Sequence, residues 1–87
     1  MITGVFAIRD TKTEQFLVPF YAPTCASAIR SFGDAVNDSQ TQFSRHPEDY
    51  ILFCLCAFDD EKGVFLQDAK FPDGSLMRGI DCVNDKV

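Results

Sequence analysis

The 87-residue sequence predicts an α+β fold: a small antiparallel sheet of about four strands in β-β-α-β-β order, with one amphipathic helix on one face. Three observations carry that expectation. Apolar residues alternate over residues 2–9 and 15–21, the two-residue period of a strand. Apolar residues recur every three or four positions over 25–36, the period of a helix face. A third run, Tyr50 to Phe58, is apolar at nearly every position, which suits a central strand covered on both sides.

Along the first strand, Ile2, Gly4, Phe6 and Ile8 fall on one side and Thr3, Val5, Ala7 and Arg9 on the other. The polar stretch Asp10-Thr-Lys-Thr-Glu14 reads as a hairpin loop. The return strand carries Phe16, Val18 and Phe20 on one face, with Leu17 and Tyr21 on the other. Pro19 has no N–H to give to a ladder, so this strand is expected at an edge or to end early. Thr24 follows Ala22-Pro23 as a helix N-cap, and Cys25, Ala28, Ile29, Phe32, Ala35 and Val36 form the buried stripe of the helix. Strict alternation over the third strand sets Ile51, Phe53, Leu55 and Ala57 against Leu52, Cys54, Cys56 and Phe58. Asp59-Asp-Glu-Lys-Gly63 turns the chain into a returning strand from Val64 to Gln67.

Residues 1–67 are therefore read as one domain, and 68–87 as a C-terminal tail, partly extended, packing on the domain or on a partner. One helix covers only one face of a sheet, whereas the third strand is apolar on two. The tail or a second subunit is expected to cover the other face, and a homo-oligomer, preferably a dimer, follows.

Composition narrows the function. The net charge is −5, and the eight basic residues are scattered without a run of Lys or Arg. Such a chain repels a long phosphate backbone on average, so coating of nucleic acid by charge alone is not expected. No stretch approaches the ~20 apolar residues of a membrane span, and no leader-like start is visible, so the reading is a protein of a reducing compartment without membrane contact. The four cysteines (25, 54, 56 and 82) lack zinc-knuckle spacing and read as reduced thiols, with no metal site. His46 reads as a turn residue, Asp59-Asp-Glu61 as a solvated hairpin tip, and no nucleophile elbow or phosphate loop is present. The expectation is a protein with no enzymatic activity and no cofactor. One binding chemistry has a foothold: single strands are held by aromatic side chains that stack on bases beside cations. Tyr21 and Tyr50 stand at strand boundaries, and Arg9, Arg30 and Arg45 flank them if the ends of the first and third strands adjoin.

Four segments, taken together, bear on identity: Phe6-Ala-Ile-Arg-Asp10, Ala28-Ile-Arg-Ser-Phe32, His46-Pro-Glu-Asp-Tyr50 and Phe58-Asp-Asp-Glu-Lys-Gly-Val-Phe65. In this order the chain resembles the small nonstructural protein of the Microviridae, in particular the gokushovirus branch of single-stranded DNA phages. The likeness spans roughly residues 5–67. The tail has no counterpart, and the Cys54-Leu-Cys56 core differs from the more polar strand of relatives. The resemblance implies a non-capsid viral accessory protein in the host cytoplasm, associated with DNA and assisting single-stranded genome replication or packaging. On the matched motifs, Arg9, Arg30 and Arg45 with Tyr50 are the candidate nucleic-acid-binding residues. The competing reading is a protein–protein adaptor that oligomerises through its sheet and binds a viral or host protein.

Overall fold

Two long strands form the spine of the molecule. In the computed structural model, which describes residues 1–84, β1 (Ile2–Asp10) and β4 (Tyr50–Asp59) run antiparallel along their whole length, from the Ile2–Asp59 pair to the Asp10–Tyr50 pair. On the outer side of β1 lie two short strands, β2 (Gln15–Phe16) and β3 (Phe20–Ala22). On the outer side of β4 lie β5 (Val64–Leu66) and β6 (Gly74–Arg78). The result is an open antiparallel sheet of six strands, not the four expected.

One extra strand has a local cause and the other comes from a long-range pairing. The expected return strand over 15–21 is split in two around Pro19, which cannot donate to a ladder. Leu17 bridges the gap, its N–H donating to Ile8 O at 2.8 Å. The sixth strand comes from the tail, which adds β6 to the free edge of β4. The last three residues of the tail lie outside the described residues.

The main helix, α1 (Cys25–Val36), starts where Thr24 leaves the extended conformation. Thr24 Oγ1 accepts from the Ser27 N–H at 3.0 Å, and Ser27 Oγ accepts from the Thr24 N–H at 3.2 Å, a reciprocal capping box with Ser in the usual Glu position. A one-turn α2 (Gln42–Arg45) and a 3-10 turn (Pro47–Asp49) lead back to the sheet. The far end of α1 is tied to the tail: Asn37 Nδ2 donates to Gly33 O and Cys82 O, both at 2.8 Å, and Asn84 N–H donates to Asn37 Oδ1 at 2.8 Å.

The core lies between α1 and one face of the sheet. Phe6, Phe32, Leu52 and Cys54 are fully buried there, with Ala28, Val36 and Ala57 around them. Phe71 of the tail closes the cluster edge-on to Phe6, with ring centroids 6.2 Å apart. Gly4 is needed for this approach: a Cβ at that position would meet the rings of Phe6 and Phe71 at 2.5 Å. Residues of the tail thus complete the core on the helix side. The tail's described residues do not pack over the opposite face.

Register also departs from strict alternation. Phe6 pairs with Cys54 and Val5 with Cys56, so Leu55 is an unpaired bulge residue. The bulge changes the phase of β4. Ala57 joins Leu52 and Cys54 on the covered face, and Phe58 joins Ile51 and Phe53 on the other, reversing the expected sides of Cys56, Ala57 and Phe58.

Candidate nucleic-acid interface

The face of the sheet away from α1 is built by the alternate residues of every strand. Val5, Ala7 and Arg9 stand on it from β1, and Ile51, Phe53, Cys56 and Phe58 from β4. Cross-strand pairing adds Phe16 beside Arg9, Tyr21 beside Val5, and Phe65 beside Phe58. Among the described residues no helix packs on this face; the helical core residues all cluster with Phe6 on the other. Its aromatic rings are accordingly open, with Phe16 45%, Tyr21 55% and Phe65 62% exposed.

These five aromatics fall into two groups. Phe16 packs edge-on to Phe53 at 5.2 Å between centroids. Tyr21 packs edge-on to Phe58 at 5.8 Å, and Phe58 meets Phe65 at 5.3 Å. Val5 and Ala7, both buried yet outside the helix-side core, floor the space beneath. The bulge at Leu55 is what brings Phe53 and Phe58 to the same side.

Charge on this face is the opposite of that on the whole molecule. No strand position facing this side is acidic, whereas Arg9 and Arg78 both fall on it. Arg9 lies over the Phe16 ring, its guanidinium carbon 5.5 Å from the centroid, and has no ion pair among the described residues. Arg78 is held by Asp81 in a two-point contact at 2.9 and 3.0 Å. That contact keeps the Asp81 carboxyl below its ordinary range and the Arg78 guanidinium above its own. Arg9 is therefore the open cation of the face.

The residues proposed from sequence are not brought together. The ends of β1 and β4 do adjoin, but Arg9 pairs with Ile51 on the open face while Tyr50 pairs with Asp10 on the covered one. Tyr50 is 6% exposed and sits edge-on to Phe43 at 4.8 Å, so its ring has no free face for a base. Burial, followed by the nearby Asp10 and Asp49 carboxylates, raises its phenol pKa. Arg30 and Arg45 are exposed on α1 and α2, on the helix side of the sheet. Phe16, Phe53, Phe58 and Phe65 were missed. Counting outward from the two hairpins identifies two of them: Phe65 stands opposite Phe58 across the Asp59–Gly63 turn, and Phe16 opposite Arg9 across the 10–15 loop.

A family model described as Phage ORF5 protein matches residues 3–82. The chain belongs to the phage ORF5 protein family. The matched span runs from Thr3 in β1 to Cys82 after β6, so every aromatic of the open face lies within the family's extent, and so does most of the tail, which was expected to have no counterpart beyond residue 67. No curated protein and no solved structure matches the chain.

Other reactive groups of this ORF5-family protein are placed as follows. Cys54 is buried, and burial first, then the neighbouring Cys25, pushes its thiol pKa up to about 11. Cys82 is raised in the same direction by burial and by Asp81. All four cysteines are free thiols. His46, Glu48 and Asp49 bring one ligand atom each to within 4.8 Å of one another around the 3-10 turn, with His46 and Glu48 exposed. No helix among the described residues is long and apolar enough to cross a membrane.

Proposed function

We propose that this phage accessory protein holds single-stranded DNA against the open face of its sheet. In this reading it is a small nonstructural protein of the Microviridae type, acting in the host cytoplasm in genome replication or packaging, and it works by binding, without catalysis, cofactor or metal. The observation that carries the reading is the composition of one face: five partly open aromatic rings, an arginine with no ion pair among the described residues, and no acidic strand position, on a chain of net charge −5. Stacking on aromatic rings is worth about 1–3 kcal/mol per base and is indifferent to sequence. The strand positions of the face carry no acid, so the overall charge opposes approach of a duplex more than seating of a flexible strand.

Fluorescence anisotropy with a labelled oligothymidine tests this. The expected result is saturable binding, weaker for a duplex of equal length, whose bases are already stacked. One open arginine predicts a shallow salt slope, about −0.7 per phosphate for single strands, so a fourfold rise in salt weakens binding only about threefold. The double substitution Phe16→Ser with Phe65→Ser abolishes retention while leaving the circular dichroism unchanged. Equal binding by the double variant, or none by the natural chain, rejects the reading.

The same face supports a second reading, an adaptor that self-associates through its sheet. Its apolar floor of Val5 and Ala7 and its ring of half-exposed aromatics are what a two-fold partner would bury. Light scattering separates the two: a doubled mass that Phe65→Ser halves, with no oligonucleotide bound, favours the adaptor.

A further inference from the structure

The open aromatics are not spread evenly, and their grouping bears on how a strand would lie across them. Phe16 and Phe53 stand level with positions 7–9 of β1, together with Arg9. Tyr21, Phe58 and Phe65 stand level with positions 3–5. The centres of the two groups are four residues apart along β1, about 13 Å at a strand rise of roughly 3.3 Å per residue. Between them the floor is Val5, Ala7 and Cys56, side chains too short to stack on a base.

We infer that the face engages a single strand at two separated stacking stations, taking two bases that are two positions apart and leaving the base between them unstacked. The inference rests on the single-strand reading above. The spacing follows from geometry: stacked bases rise about 3.4 Å per strand, and a strand pulled open to roughly twice that rise covers about 13 Å in two steps. An adjacent pair of bases cannot bridge the stations without a further stretch. The stations also differ chemically. Among the described residues only the Phe16–Phe53 station has a guanidinium over one of its rings, that of Arg9, so it is the one beside which a phosphate is held.

The test uses the full chain and a set of labelled ten-nucleotide strands, abasic except for two thymines separated by zero, one, two or three abasic sites. An all-thymine strand and one with a single thymine serve as controls. Tightest binding is expected with one abasic site between the thymines, at least about fivefold tighter than the adjacent pair, since each stacked base contributes about 1–3 kcal/mol. Phe16→Ser and Tyr21→Ser, both at exposed positions, are each expected to reduce every two-thymine strand to the affinity of the single-thymine strand. Binding of the all-thymine strand with affinity that does not depend on spacing, or that favours adjacent thymines, overturns the two-station arrangement while leaving single-strand binding standing. Failure to bind the all-thymine strand overturns both.

Discussion

The two faces of the sheet are made from the same kinds of residue and end in opposite conditions. On one, Phe6, Leu52, Cys54 and Ala57 lie beneath α1 and are shut off from water. On the other, Phe16, Tyr21 and Phe65 stay about half exposed or more, and only the small residues Val5 and Ala7 below them are buried. The difference is not hydrophobicity, because both faces are rich in Phe. It is cover. A single twelve-residue helix spans one face, and the tail reinforces that same face through Phe71 and the Asn37 contacts. Apolar surface left open to this extent costs free energy unless something else takes it up.

That contrast can be broken most directly by the same truncation on each face. Phe6→Ala is expected to destabilise by about 3–5 kcal/mol, because it removes a fully buried ring and leaves a cavity. A domain of this size has stability on the order of 5 kcal/mol, so the variant should be close to unfolded in a urea titration followed by circular dichroism. Phe65→Ala should move the same midpoint by about 0.5 kcal/mol or less. Comparable losses from both would mean that the open face is covered in solution.

Gly4→Ala adds volume to the tight face. Its Cβ would collide with Phe6 and Phe71, and a loss of about 1–3 kcal/mol is expected in the same titration. The helix itself can be loosened without touching the core. Thr24→Ala removes the cap acceptor of the Ser27 N–H and should cost about 1 kcal/mol, with faster amide exchange in the first turn of α1 and little change in β1 or β4.

The smallest effect at neutral pH comes from Cys54. Its folded-state pKa is raised to about 11 from an ordinary 9.0, so below pH 9 the thiol is protonated in both states and contributes no pH dependence. Between pH 9 and 11 the unfolded chain loses the proton first. Stability should therefore fall as pH rises through that window, and Cys54→Ala should flatten the fall. A midpoint that rises with pH there would contradict the burial of this thiol.

Much of this arrangement was legible in the residues. The helix and its Thr24 cap, the alternation of β1 and the extended run from Tyr50 follow from local periodicity and capping chemistry, and each is where those rules place it. Arg9 stands on the open side because its own strand carries it there, alternating with Val5 and Ala7. Tyr50 was not, since a ring at the start of a strand enters the core or leaves it according to its partner, and here Asp10 and Phe43 set it inside. Arg30 and Arg45 ride on helices whose side of the sheet no local pattern states. Phe53 and Phe58 look like opposite faces to anyone counting by twos. The bulge at Leu55 makes them neighbours on one face, and it exists only as a mismatch between β1 and β4.

By itself, the sequence determined the secondary elements, the two apolar sides of β4, the acidic balance and the reduced cysteines, because these depend on nearest neighbours and composition. Tertiary contacts settled which side the helix took, that the tail extended the sheet, and that, among the described residues, five rings and an arginine without an ion pair share the face no helix covers. Those outcomes depend on strand register and on which element wins a shared surface, and both are set by contacts between residues far apart in the chain.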